Sequence, residues 1–236
     1  MAAGAIVLEV ASYNVHRCVG VDRRLDPERV ARVLREIDAD IVSLQEVEST
    51  PGAEGTSAQL SALASSAGLA GVAGPTLLGR RRGFGNALLT RHPVVGCRHV
   101  DLSVRDREPR GALAVDLAIG PRRVRVIGTH LGLRGAERRR QVLCLLQLCG
   151  EERPAVVLLL GDFNEWLPGA RNLRYLRRLF GVAPAPPTFP SWRPVLALDR
   201  IWARPGHALG AVRVHASWLA RRASDHLPVR GTVRLS

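Results

Sequence analysis

The sequence predicts an α/β fold in which two β-sheets pack as a sandwich flanked by helices. Three observations carry that expectation. Apolar runs of strand length recur from one end of the chain to the other, and helical patterns are inserted between them singly. No repeat, linker or shift in composition divides the 236 residues, so one domain spanning 1–236 is expected.

The elements follow in order. Val7 to Tyr13 reads as a strand ending at Asn14-Val15-His16. Asp26-Pro27-Glu28 has the form of a helix start: a capping residue, proline at the first helical position, then an acid in the first turn. Val30, Val33, Leu34 and Ile37 recur at helical spacing, and Ile41 to Leu44 is a short buried strand finishing at Gln45-Glu46. Thr50 to Ser57 is a polar loop, Ala58 to Ala67 a helix, and Gly79 to Gly85 a loop holding Arg80-Arg81-Arg82. Extended segments are expected at Asn86 to Thr90 and Val94 to Val104, followed by a charged loop from Arg105 to Arg110. Strands at Leu113 to Ile119 and Val124 to Thr129 are joined by the hairpin link Gly120-Pro121-Arg122-Arg123. Glu137 to Leu148 is a helix that Gly150 stops, and Val156 to Leu160 a strand ending at Gly161-Asp162-Phe163-Asn164. Leu173, Leu176 and Phe180 form one face of a further helix. A proline-rich connector from Ala183 to Pro190 then leads to strands near Leu198 to Trp202, Val212 to Ala216 and Leu227 to Leu235.

Composition narrows the class without fixing it. At 46% hydrophobic residues, wholesale disorder is excluded. No apolar run reaches the roughly 18 residues of a membrane span, and Met1 to Val10 lacks a basic leader; a soluble, cytoplasmic monomer is expected. Cys18, Cys97, Cys144 and Cys149 lack metal-site spacing, which agrees with a reducing compartment, and Cys144 and Cys149 read as small core residues. The formal charge is +13 and all 34 basic residues are Arg. Such a surface attracts polyanions, but a GC-rich coding sequence produces the same excess, so charge alone decides nothing.

Position is more informative. Polar residues able to bind metal or phosphate repeatedly sit at strand termini: Asn14, Glu46, His130, and Asp162 with Asn164. Asp199 lies within a fifth apolar stretch, and Asp225-His226 precedes the last strand. Asp162 and Asn164 are two apart, so in extended backbone both project to one face while Phe163 turns to the packed side. Asp199, between Leu198 and Ile201, needs a partner, and a histidine suits it because the carboxylate would fix the tautomer and favour imidazolium. Each residue alone has a structural explanation. A Gly-Asp-x-Asn segment is commonly only a turn, Glu46 a solvated strand end, His130 a hydrogen-bonded structural histidine, and Asp199 an anchor for Arg200.

In combination these residues resemble the endonuclease/exonuclease/phosphatase superfamily, which includes deoxyribonuclease I, exonuclease III-type repair nucleases, sphingomyelinases and inositol polyphosphate 5-phosphatases. The resemblance rests on Ser12-Tyr13-Asn14, Ile41 to Glu46, Gly85-Asn86-Ala87-Leu88-Leu89, Thr129-His130-Leu131, Gly161-Asp162-Phe163-Asn164, Leu198-Asp199-Arg200-Ile201 and Ser224-Asp225-His226. It spans nearly the whole chain and is strongest to small bacterial members that carry Gly-Asp-Phe-Asn followed by Trp, here Trp166.

The resemblance implies a deoxyribonuclease I-like four-layer sandwich of two mixed β-sheets flanked by helices, and a metal-dependent phosphodiesterase. Glu46 matches the principal Mg2+ ligand, with Asn14 and Asp225 completing or supporting the site and Mn2+ able to substitute. Asp162 matches the carboxylate that orients or deprotonates the attacking water, and Asn164 the amide that contacts phosphate. His226, paired with Asp199, matches the histidine that stabilises the transition state or acts as its acid or base. His130 matches a second histidine that contacts phosphate or protonates the leaving group. Arg110 stands where related proteins carry an arginine and is weighed as a phosphate clamp, whereas Arg134 and Arg138 are expected at the surface. Nucleic acid is the leading substrate, a phospholipid (anionic lipid included) or small phosphate ester the second, and a catalytically silent phosphate-binding module the third.

Overall fold

In a computed structural model, residues 6–48, 57–76, 84–150 and 154–235 are described. The expected loop from Thr50, and Gly79 to Gly83 of the arginine loop, lie outside these residues. One six-stranded sheet contains β1 (Ile6–Asn14), β2 (Ile41–Glu48), β3 (Ala70–Pro75), β4 (Phe84–Thr90), β10 (Leu209–Val214) and β11 (Val229–Leu235). Its strand order is β10-β11-β1-β2-β4-β3. A five-stranded sheet contains β5 (Val94–Asp101), β6 (Gly111–Ile119), β7 (Arg122–His130), β8 (Val156–Asp162) and β9 (Asp199–Arg204), in that order.

Three apolar layers hold the sheets and helices together. Leu8, Val10, Ile41, Leu88, Leu113, Val126, Leu158 and Ile201 fill the gap between the sheets. Burying each such side chain contributes about 1.5–3 kcal/mol. Helices α1 (Pro27–Ile37), α2 (Ala58–Ala67) and the short α5 (Ala220–Ala223) cover the outer face of the larger sheet through Val30, Leu34, Leu60, Leu63 and Ala220. Helices α3 (Gly135–Gly150) and α4 (Arg171–Phe180) cover the smaller one through Val142, Leu145, Leu173 and Phe180. This is the four-layer α/β sandwich the resemblance implied.

Local chemistry explains the element ends. Asp26 caps α1 by accepting from the Arg29 N–H at 2.9 Å, with Pro27 beginning the helix, and Asp38 closes it in the left-handed region. Ser57 caps α2 in the same manner, from the Leu60 N–H at 3.0 Å. Strand β3 was not expected. It is an edge strand of small residues, and Gly74 and Gly85 let its backbone approach β4 and Leu113 more closely than any side chain would permit. Boundaries also moved by a few residues: β5 stops at Asp101, β4 starts at Phe84, β6 at Gly111, β10 spans Leu209–Val214, α3 runs from Gly135 through Gly150, β11 begins at Val229, and the hairpin link shortens to Gly120-Pro121. Cys149 is buried as expected, but Cys144 faces solvent. No helix among the described residues is long and apolar enough to cross a membrane.

Candidate active site

Strand pairing aligns the reactive residues at one end of the sandwich. Strands β1 and β2 run parallel, as do β7 and β8, so their carboxyl ends finish at a common edge. His130 lies opposite Asp162 in register, and the antiparallel β9 begins with Asp199 opposite the same residue. Asp199 is therefore the first residue of its strand.

Alternation then decides which side chains enter the gap. On β1, Leu8 and Val10 face the other sheet, and Ser12 and Asn14 follow at the same parity. Leu158 and Leu160 lead to Asp162 on β8, and Val124 and Val126 lead through Gly128 to His130 on β7. The gap changes from apolar to polar along its length. Between the two zones lies a buried layer in which the Ser12 hydroxyl donates to Gln45 Oε1 at 3.3 Å and Gln45 Nε2 to Ser43 Oγ at 3.0 Å. Gly128 is required there, since a Cβ would lie 2.5 Å from Ser43 Oγ.

Glu46 enters the site against this rule. Ile41, Ser43 and Gln45 share the gap-facing parity, which would send Glu46 to the helix side. A register shift against β4 between Leu44 and Val47, with Glu46 at φ 57°, turns its side chain inward. Asn164 also has positive φ, 48°, so the extended backbone expected from Asp162 to Asn164 is not formed. Asp162 Oδ1 instead accepts the Asn164 N–H at 2.9 Å, a turn that frees the Asn164 amide to reach the Leu131 carbonyl at 2.8 Å and His130 Nε2 at 3.1 Å. Phe163 is packed on the far side against Trp202, with ring centroids 4.8 Å apart, as expected.

Asp162 is the hub. The Asn14 amide donates both to Asp162 Oδ2 and to Glu46 Oε1, at 3.1 Å each. The same Asp162 oxygen lies 3.5 Å from His130 Nε2 and 3.7 Å from His226 Nε2. The His16 N–H donates to Asn14 Oδ1 at 3.1 Å and orients that amide. His16, Arg17 and Cys18 hold three consecutive positive φ angles immediately after it.

The two histidines are driven apart electrostatically. Burial, together with Arg110 and His226, outweighs Asp162 and pulls the His130 ring down to about 3, so it is neutral. Burial also disfavours charge on His226, but Asp199, Asp162 and a hydrogen bond to Asp199 outweigh it and push that ring up to about 10. His226 Nδ1 is 2.9 Å from Asp199 Oδ2, which also accepts the Thr188 hydroxyl at 2.6 Å. Asp199 therefore serves His226, and the Arg200 guanidinium goes elsewhere.

Arg110 is buried and joins the site: Nη1 is 3.3 Å from His130 Nδ1 and Nη2 donates to Glu108 at 2.7 Å. Asn86 and Thr129 hold the adjacent Gly111 carbonyl, at 2.8 and 3.2 Å. Both ring nitrogens of His130 thus face N–H donors, and a neutral imidazole accepts only one. Asp225 stands at the rim, half exposed, 3.7 Å from His16 Nδ1.

Sequence reasoning missed the buried cluster that lies behind the site. Arg138, expected at the surface with Arg134, is buried and paired with Glu165, while Arg134 is exposed as expected. The spacing of Arg138, Gln141, Val142, Leu145 and Cys149 on the inner face of α3 carried that signal.

Oxygen donors for a hard divalent cation are at hand in Glu46 and Asp162, with Asp225 nearby. The set fits such an ion, because two carboxylates from separate strands share one neutral amide and the ring nearest Glu46, His130 at 4.0 Å, is uncharged. Asn14 turns nitrogen rather than oxygen toward them and so bridges the pair. Asp162, Asp199 and His226 also cluster within 4.8 Å, but His226 and Asp199 are already hydrogen-bonded to each other, which makes this a carboxylate–imidazole chain.

Residues 11–226 match the model of the endonuclease/exonuclease/phosphatase family. The uncharacterized protein YbhP of Escherichia coli K12 is 29% identical over 249 residues, covering 96% of each chain. Among solved structures, an endonuclease/exonuclease/phosphatase from Beutenbergia cavernae superposes with a TM-score of 0.78 at 25% identity, over 98% of this chain and 72% of that one. The counterpart from Bacteroides vulgatus gives a TM-score of 0.78 at 16% identity, over 98% and 100%.

Proposed function

Because this chain belongs to the endonuclease/exonuclease/phosphatase family, we propose that it hydrolyses phosphoric esters as a divalent-metal-dependent phosphodiesterase, with nucleic acid as the leading substrate. One observation carries the reading. A single carboxylate, Asp162, is shared by an amide, a neutral imidazole and a cationic one at a sheet edge, next to a second carboxylate, Glu46. A binding module has no use for that combination.

Bound Mg2+, with Mn2+ as a substitute, would be held by Glu46 with Asn14 and Asp225 in support, and would supply Lewis-acid polarisation of the phosphate, which leaves Asp162 to the water. The side chains account for the rest. Asp162 orients water and takes its proton as the oxygen attacks phosphorus. The Asn164 amide and Arg110 face the charge that develops on the phosphoryl oxygens. As the ester P–O bond breaks, the departing oxygen needs a proton. His226, held cationic by Asp199, is suited to give it. His130, held neutral by its burial beside Arg110, suits a hydrogen-bonding role on phosphate.

The +13 charge supports a polynucleotide substrate through attraction to phosphates. A second reading, a phospholipid head group at an anionic membrane, draws on Leu133, Trp166 and Leu167, which are exposed on the loops after β7 and β8.

Purified protein should be assayed on plasmid DNA, single-stranded DNA, RNA, bis-p-nitrophenyl phosphate, phosphoinositide vesicles and sphingomyelin vesicles, with EDTA and with Mg2+ or Mn2+ restored. Polynucleotide cleavage that EDTA stops and Mg2+ recovers is expected. Chelator-resistant turnover would sink the metal mechanism, and cleavage of lipid but no polynucleotide would transfer the substrate to the second reading.

A further inference from the structure

The loop that carries Asp162 and Asn164 continues into Glu165, a residue 4% exposed and ion-paired with Arg138. Its Oε2 accepts from Arg138 Nη2 at 2.9 Å, from Arg138 Nε at 3.3 Å and from Asn172 Nδ2 at 3.2 Å, while Oε1 accepts the Leu167 N–H at 3.3 Å. Arg138 Nη1 in turn donates to the carbonyls of Leu133 at 2.7 Å and Gly132 at 3.3 Å, directly behind His130. Arg200, the residue after Asp199, donates to the Glu165 carbonyl at 3.0 Å and to that of Ala197 at 3.1 Å. One buried cluster therefore ties together the ends of β7, β8 and β9, the strands that present His130, Asp162 and Asp199.

Burying such charges is costly, and a well-packed apolar cluster would hold the loops at least as firmly. What an apolar cluster lacks is direction. A planar guanidinium with several fixed N–H vectors sets distances between loops that dispersion contacts leave loose. Asn164 has positive φ and reaches His130 and Leu131 across two loops, an arrangement that a small shift of either loop would undo.

We propose that Glu165 and Arg138 form a positioning clamp that sets the Asn164–His130–Asp162 geometry from behind. The clamp rests on the hydrolase reading for its catalytic consequence, but its mechanical effect is readable without turnover. In Glu165→Gln, an amide N–H replaces one acceptor and the charge partner of Arg138 is gone. Turnover of bis-p-nitrophenyl phosphate is expected to fall roughly 10- to 100-fold in kcat, as for an ångström-scale misplacement, with KM within about twofold. In an Asn164→Ala background the same change should cost less than about threefold, because the clamp acts through Asn164; full multiplication of the two losses would overturn the proposal.

The variant Arg138→Met/Glu165→Met guards against misfolding, since apolar replacement of a buried pair tends to preserve stability. It should unfold at close to the wild-type temperature and still lose turnover. Wild-type kcat in that variant, or failure of both variants to fold, would make the cluster purely structural. Amide exchange supplies the turnover-independent reading: Glu165→Gln should speed exchange roughly tenfold in residues 131–134 and 163–167 and leave β1 and β11 unchanged, and equal exchange refutes the clamp. A wild type that hydrolyses nothing while exchange responds as described would sink the hydrolase reading alone.

Discussion

Two buried aspartates on the five-stranded sheet show what separates a structural charge from a reactive one. Asp116, within β6, lies opposite Arg125 in register and accepts from it at 2.8 and 2.9 Å, with Arg123 adding a third contact at 2.7 Å. Permanent cations saturate both of its oxygens. Asp162, at the end of β8, is as well buried, but its partners are amides at 2.9 and 3.1 Å and two imidazoles at 3.5 and 3.7 Å. Nothing in that set neutralises the carboxylate permanently. The strand ladder supplies both positions; the partners decide whether the charge holds the fold or remains free to accept a proton.

The contrast breaks most sharply under matched substitutions. Asp162→Asn should lower kcat by roughly 10²–10⁴-fold, the range of a lost general base. Its unfolding temperature should fall less than that of the Asp116 variant, since the turn to the Asn164 N–H survives, although the new amide nitrogen faces the Asn14 donor. Asp116→Asn should do the reverse. It leaves two guanidinium groups without their carboxylate and should cost about 2 kcal/mol, less than for a fully buried pair because Arg123 is half exposed. That corresponds to roughly 4–8 °C in a chain of this size, with kcat within about twofold. Initial rates and thermal unfolding on the two variants decide the matter; an Asp116 variant that loses turnover at full stability would erase the distinction.

How far the sequence anticipated this division depends on whether the backbone obeyed the simplest periodicity. Asn14, His130 and Asp162 continue an apolar alternation to its last residue, so strand parity alone aims them into the gap. Glu46 breaks that parity; its place at a strand end marked it as a candidate, but nothing in β2 itself announces the register shift against β4 that turns it inward. Asn164 was placed on the right face for the wrong backbone, since the turn it makes and the site it serves are the same structure. Arg138 was lost among Arg138-Arg139-Arg140, where composition argues for solvent and helical spacing argues for the core. Edge strand β3 offered neither alternation nor bulk. The rim position of Asp225 depends on a bend that follows from neighbouring contacts, including the Ser191 N–H on its carbonyl at 2.7 Å.

The smallest expected effect sharpens the comparison by titration. Hydrogen bonding to Arg125 holds the Asp116 carboxyl below its ordinary value; burial opposes the shift, and Arg123 adds to it. A carboxylate depressed in the folded state contributes stability that is complete above its unfolded value of about 3.9 and is lost as pH falls through the folded one. Acid also raises the already positive charge of the whole chain, so wild type and variant should both weaken below about pH 4, and only their difference is diagnostic. Urea midpoints for wild type and Asp116→Asn between about pH 6 and pH 3 should differ by a constant amount down to about pH 4 and then converge, because the wild-type carboxyl becomes as uncharged as the amide. A gap that stays constant to the lowest pH would mean that shape and hydrogen bonding, not charge, make Asp116 structural. In that case the proposed difference between it and Asp162 could not be assigned to the permanence of their cationic partners.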